Sequence, residues 1–177
     1  GLAVTFPIMN LSAAFGAMVG VGSSTMISIK LGQKDYQTAE RVLGNLVSLN
    51  IIIGIVVGVL GLIFIDPLLL FFGASENTIM YARDYMEIIL YGNVVTHLFL
   101  GLNAALRSTG HPHVAMSATI ATVIINAILD PLFIFTFGMG IKGAAIATIL
   151  AQVFSLIYVI TILSNKKDLI HLHSGIY

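Results

Sequence analysis

Thr122, Asn126 and Asp130 follow one another at i, i+4 and i+8, which on a helix puts a hydroxyl, an amide and a carboxylate along one face. Asp130 stands between sixteen uncharged residues, 114–129, and eleven more, 131–141. Pro131 has no N–H to give the carbonyl of Ala127, so a backbone oxygen is freed beside the cluster and the helix acquires a hinge. Downstream, Ala144, Thr148 and Gln152 form a second i, i+4 row. With Gly138, Met139 and Gly140 as the turn of an antiparallel hairpin, positions whose numbers sum to about 278 lie level. Thr148 then stands opposite Asp130, and Gln152 opposite Asn126, about 8 residues or ~12 Å from the turn. Neutral oxygens around one carboxylate suit a small cation or a proton, since the carboxylate can coordinate Na⁺ or accept H⁺. The structural alternative is an Asp that caps the kink or bonds a neighbouring helix.

Other polar groups are less pointed. His97 has Asn93 one turn before it and Gly101 one turn after; it could titrate or touch a substrate, or sit neutral and hydrogen-bonded among helices. Arg83 and Glu87 are four apart and can pair at a membrane interface, with Asp84 between them. His111 and His113, and His171 and His173, lie in flexible connecting or tail segments with no Cys or carboxylate at ligand spacing, so no metal site beyond a possible Na⁺ is expected. A Ser nucleophile within GVGSS, with His97 as base, does not match the arrangement of membrane serine proteases, and packing explains that pentapeptide without chemistry. An intramembrane aspartyl protease needs two facing aspartates, and only Asp130 is deep. The sequence predicts a non-enzyme without an organic cofactor.

Composition says what holds these residues. The chain is 58% hydrophobic and 9% charged, against about 25% charged in a typical soluble domain, so the solvent is a lipid bilayer. Net charge is zero and there is no basic run, which excludes a nucleic-acid binder. Cysteine is absent, so disulfides and thiolate sites are excluded. The chain opens at Gly1 inside an apolar run, which predicts that a preceding helix is missing.

A membrane-crossing helix needs about 20 apolar residues. Five stretches qualify: approximately 2–29, 42–65, 79–106, 114–137 and 143–163. The fold class is therefore all-α, a polytopic membrane helix bundle. The breaks LGQKDYQ, DPLLLFFGASEN, RSTGHPH and GMGIKG carry turn residues. Lys30, Lys34, Arg41, Arg107, Lys166 and Lys167 fall on one side, and only Arg83 and Lys142 on the other. The excess marks the cytoplasmic side, so the C-terminal tail is inside and Gly1 outside. Small residues at i, i+4 predict close helix packing: Ser12, Gly16, Gly20, Ser24 and Ser28, then Gly54 and Gly58, then Gly143, Ala147 and Ala151.

The stretches PIMNLSAAFGAMVGVGSSTMISIKLGQKDYQTAERVLGN, GLNAALRSTGHPHVAM and NAILDPLFIFTFGMGIKGAAIATILAQ resemble helices two to six of the MATE (multidrug and toxic compound extrusion) family. The resemblance implies twelve helices in two six-helix lobes, of which residues 1–177 are part of the amino-terminal lobe. It implies alternating access and export of organic cations or other xenobiotics, driven by inward Na⁺ or H⁺ across a bacterial plasma (inner) membrane. It gives Asp130, Asn126 and Thr148 the role of coupling-ion ligands; Thr122, Gln152 and His97, from their spacing and position, are the candidate substrate or accessory polar groups. Ion binding would then favour a bend at Pro131. The partners it implies are the bilayer, cationic substrates, the missing first helix and the carboxy-terminal lobe. A lipid-linked oligosaccharide flippase of the same superfold is the nearest alternative, but its cavity needs several Lys or Arg, and none lies near a helix centre here. A structural membrane subunit is the other.

Overall fold

The computed structural model describes residues 2–165 and 169–172. A 3-10 turn at Leu2–Val4 leads into α1, Phe6–Gly32, and then α2, Tyr36–Ile63. A short α3, Ile65–Phe71, precedes α4, Ile79–Tyr91, and α5, Asn93–Ser108. α6, Pro112–Pro131, runs on into a π-helical turn at Leu132–Thr136, and α7 covers Gly140–Leu163. Four of the helical segments are each long and apolar enough to cross a membrane, and α4 with α5 makes a fifth span. The protein is a partial all-α membrane bundle, as its sequence predicts.

The turns arise from local chemistry. α1 ends with Asp35 N–H bonded to Lys30 O at 2.9 Å and Lys34 N–H to Leu31 O at 3.0 Å, with Lys34 itself left-handed at φ 59°. Asp35 then caps α2 by accepting from Thr38 N–H at 3.2 Å, and this bond holds its carboxyl below the usual carboxylate range. The stretch DPLLLFFGASEN, expected as a break, instead contains α3. Asp66 and Pro67 occupy its first turn, where proline's missing N–H costs no helical bond. Gly73, at φ 95°, ends it.

The expected single helix over 79–106 is also different: it breaks at Gly92 and bends by 56°. Ile149 of α7 presses on Gly92 where any Cβ would stand. A new helix starts beyond it, with the N–H groups of Val95 and Thr96 both directed at Gly92 O, at 3.0 and 3.2 Å.

α5 is gripped between α1 and α2. A Cβ on Gly20 would stand 3.0 Å from Gly101 Cα, and one on Gly54 only 2.9 Å from Val94 Cα. The anticipated ridge on α1 packs through Ser12, Gly16 and Gly20, all buried, but not to its end: Ser24 returns its hydroxyl to Val21 O at 2.9 Å and Ser28 is exposed. Ile27 takes over the buried position there. On α7, Gly143, Ala147 and Ala151 are all buried as the spacing predicts. At the end of the bundle that carries the α6–α7 turn, Arg83 pairs with Glu87 at 2.9 Å, as expected, and also with Asp66 of α3 at 3.1 Å, while Lys142 reaches Asp84 at 3.4 Å.

At the other end the chain returns under the bundle after α7. Ile170 is 2% exposed, in one cluster with Ile27, Leu43, Leu46, Leu106 and Leu163. Leu172 N–H bonds Leu163 O at 2.8 Å, and His171 faces Glu40 with Nδ1 3.2 Å from Oε1. His171 is thus a docked residue and not part of a flexible tail, because the buried side chain next to it ties the segment down. His173, Lys166 and Lys167, which entered the metal and orientation arguments, lie outside the described residues.

Candidate functional site

α6 and α7 form the antiparallel hairpin that the sequence predicts, and its register is close to the expected one. Thr122 Oγ1 lies 2.7 Å from Ser155 Oγ, and Asn126 Nδ2 donates to Thr148 Oγ1 at 3.4 Å. Along α6 the same Asn126 amide donates to Asp130 Oδ1 at 3.1 Å. Asp130, Asn126 and Thr148 therefore meet as one half-buried cluster. Thr148 can accept from Asn126 because its own proton goes to Ala144 O at 2.9 Å. Among the described residues no Lys, Arg or His pairs with Asp130. A carboxylate held by one neutral amide within an apolar helix pair is a strong acceptor for a cation or a proton.

Pro131 sits inside α6 with helical dihedrals (φ −59°, ψ −37°), and the helix runs through it. Beyond the proline the helical bonding is loosened: Phe137 N–H bonds Leu132 O, five residues back, at 3.0 Å. The π turn rests on α7 where Gly143 has no side chain, since a Cβ there would stand 2.8 Å from the carbonyl of Phe133. The turn that follows Asp130 and Pro131 is thus seated against α7 while its own hydrogen bonding is loosened.

The accessory groups go elsewhere. Thr122 shares its hydroxyl between Ser155 Oγ and Ala118 O, at 2.7 and 2.9 Å, one turn deeper than the cluster. Gln152 does not face Asn126 as its number suggested; Thr96 Oγ1 of α5 donates to Gln152 Oε1 at 2.6 Å. Periodicity places Gln152 on the right stripe of α7, but α5 wedges against that stripe and claims the amide. His97 is fully buried, with Nε2 3.3 Å from Ser12 Oγ. One ring nitrogen is thus hydrogen-bonded among the helices, while Nδ1 is buried without a partner among the described residues.

One neighbour is not apparent from the sequence. Tyr85 of α4 is buried and within electrostatic reach of Asp130, though no hydrogen bond joins it to the cluster. A signal existed, since Tyr85, Ile89 and Asn93 form an i, i+4 row, but the charged residues around Tyr85 drew it to the interface. Thr148 also lines a cavity of about 200 Å³ together with Ser12, Met86, Asn93, Thr96 and Gln152. The cluster therefore reaches, through Thr148, a mainly apolar chamber set with uncharged polar groups.

The MatE family model matches residues 1–132. The chain belongs to the MatE family. The match takes in Asn126, Asp130 and Pro131 and stops short of Thr148. Among MatE relatives, the multidrug export protein MepA of Staphylococcus haemolyticus is 32% identical over 167 residues, covering 94% of this chain and 37% of that protein. A multidrug resistance MATE family transporter solved in an inward-facing conformation superposes with a TM-score of 0.93 at 28% identity, over 98% of this chain and 40% of its own. A MATE crystal structure in the bent conformation gives 0.92 at 30% identity, over 97% and 38%. The chain thus spans about two-fifths of the length of the MatE proteins it matches, and with its apolar spans it is a multi-pass membrane protein.

Proposed function

We propose that these residues form part of the amino-terminal lobe of a secondary active multidrug exporter of the plasma membrane, which exchanges organic cations for Na⁺ or H⁺. The observation that carries this reading is Asp130, a half-buried carboxylate without a cationic partner among the described residues, hydrogen-bonded to Asn126, which also bonds Thr148. The names of the relatives, multidrug export and multidrug resistance proteins, support the transport class. Asp130 accepts the coupling ion; Thr148 and Asn126 supply neutral ligands. Asn126 turns its NH2 toward Asp130. Na⁺ entering between them requires the amide to reverse and offer Oδ1, whereas a proton on Asp130 does not. Gradient-driven drug efflux from proteoliposomes containing the full-length protein tests the reading, and efflux indifferent to both Na⁺ and pH gradients refutes it.

The lobe is oriented with the α1–α2 turn and the tail in the cytoplasm. Lys34→Cys is expected to react only with reagents that reach the cytoplasm, and Lys142→Cys only with external ones; labelling from the opposite sides overturns the orientation. The bilayer, cationic drug and the remainder of the transporter are the partners on this reading.

A further inference from the structure

Between α1 and α2, on the side of α3, a groove of about 290 Å³ opens at the protein surface. Phe15 of α1 and Leu60 and Phe64 of α2 stand along it, each about half exposed, while Ile8, Gly61 and Leu90 beneath them are buried. Gly61 gives the groove its depth. With no side chain on α2 at that point, Leu90 of α4 becomes the floor; a Cβ there would stand 2.7 Å from Leu90 Cδ2. Among the described residues that line the groove only Ser12 has a polar side chain, and its hydroxyl donates to Asn93 Oδ1 at 2.7 Å. The groove is therefore apolar and satisfied, a place that water has no reason to fill.

Its occupant follows from its size and its surroundings. The lining runs from Ile8 to Phe15 on α1 and from Val57 to Phe64 on α2, seven residues or ~10 Å along each helix. A helix over that length, 10–12 Å across with its side chains, fills roughly 800–1,200 Å³, about three times what the groove holds. Close helix packing in lipid also uses small residues, whereas Phe15, Leu60 and Phe64 narrow the entrance. The lips continue into Val59 and Ile63, exposed apolar residues that α2 presents to the membrane, so the groove is part of the lipid-facing surface. α3 supplies Leu68 to the same lining, and two residues before it Asp66 pairs with Arg83 at 3.1 Å, both side chains about half exposed. Such charges belong at the level of the head groups. The groove thus leads from the head-group level into the hydrocarbon.

We propose that this groove seats one acyl chain of a membrane phospholipid, in the leaflet on the α3 side, with the head group beside Asp66 and Arg83. The chain fills the cleft that the side chains of α1 and α2 leave between them. It also has a sealing role. Ser12 lines both this groove and the chamber that Thr148 reaches, so one residue of α1 separates that chamber from the bilayer, and the seated chain covers the thin place.

The test uses the full-length transporter in detergent micelles with about one molecule per transporter of a phosphatidylcholine that carries a photoactivatable diazirine on one acyl chain. After irradiation the labelled residues are mapped by peptide mass spectrometry. Phe15, Leu60 and Phe64 are expected to be labelled about fivefold more than Val59 and Ile63, which lie at the same depth on α2 but off the groove. Leu60→Trp puts a bulkier ring into the groove and is expected to bring Phe15 and Phe64 down to the level of Val59. Delipidated wild-type protein gains about 3 °C in unfolding temperature when phosphatidylcholine is returned, as for any ligand that binds the folded state alone, and Leu60→Trp loses most of that gain. Equal labelling on and off the groove means ordinary boundary lipid and overturns the proposal. Labelling of Val59 and Ile63 with none in the groove means that another helix of the transporter or a second copy covers it, and overturns the proposal as well. A folded Leu60→Trp variant that keeps the full labelling of Phe15 and Phe64 does the same. Should Leu60→Trp fail to fold, the wild-type map decides alone.

Discussion

Asp130→Asn in the full-length transporter is expected to fold, to bind cationic drug and to lose the response of export to Na⁺ and pH gradients. The amide has nearly the volume of the carboxylate and keeps a carbonyl oxygen for the Asn126 NH2, which now donates to Asp130 Oδ1 at 3.1 Å. What disappears is the negative charge. A charge at mid-membrane costs at least ~2.5 to 3.5 kcal/mol on insertion scales, so removing one that serves no purpose is neutral or stabilising. Intact yield together with lost coupling therefore identifies the charge as functional. Thr148→Val should give a weaker version, more pronounced for Na⁺ than for H⁺, since a hydroxyl ligates Na⁺ but is not needed to hold a proton. Gradient-driven efflux at matched protein levels decides; export by Asp130→Asn with unchanged ion dependence would make Asp130 a structural residue.

The second large effect concerns packing. Gly20→Leu and Gly54→Leu are each expected to abolish most of the folded yield, or to lower the unfolding temperature steeply in detergent. The neighbours of both missing side chains are backbone atoms, Gly101 Cα at 3.0 Å and Val94 Cα at 2.9 Å, so no rotamer change makes room. One helix must back away, and in lipid, where apolar burial gives no advantage to helix association, close approach is the source of the stability lost. Overpacking costs about 1–3 kcal/mol in ordinary cores and more where backbone must move. Gly22→Leu, two residues along α1 with open space around it, and Leu11→Ala, at an exposed position, are the controls and should behave as wild type. Equal losses in all four variants, by size-exclusion yield and thermal unfolding, would place the α1 ridge outside the helix interface.

Spans and the Asp130 cluster were legible in the sequence because each depends on one periodicity. A run of apolar residues says membrane helix, and Asn126 and Asp130 share a stripe on any helix. Level placement of Thr148 needed only a short hairpin turn. What escaped depends on a third element. Gln152 is on the expected stripe, yet its partner is Thr96, because α5 inserts beside α7 and hairpin arithmetic knows nothing of α5. Gly92 reads like any other membrane glycine until Ile149 is seen against it. Tyr85 was masked by Arg83, Asp84 and Glu87, whose charges point to the interface although the tyrosine between them turns inward. α3 was hidden by Asp66-Pro67, a pair that signals a turn and equally well starts a helix.

The segment that returns beneath the bundle bears on how the bundle is made. Ile170 completes a cluster whose other members come from α1, α2, α5, α6 and α7, and Leu172 N–H takes up the Leu163 carbonyl. During synthesis the last membrane helix can be inserted while this cluster still lacks one side chain, and closure waits for residues 170–172 to leave the ribosome. Closure of this cluster therefore comes after the end of α7. A split-protein pair or a fusion joined at Ser164 would deliver this cluster without Ile170, whereas a junction after Leu172 would keep it.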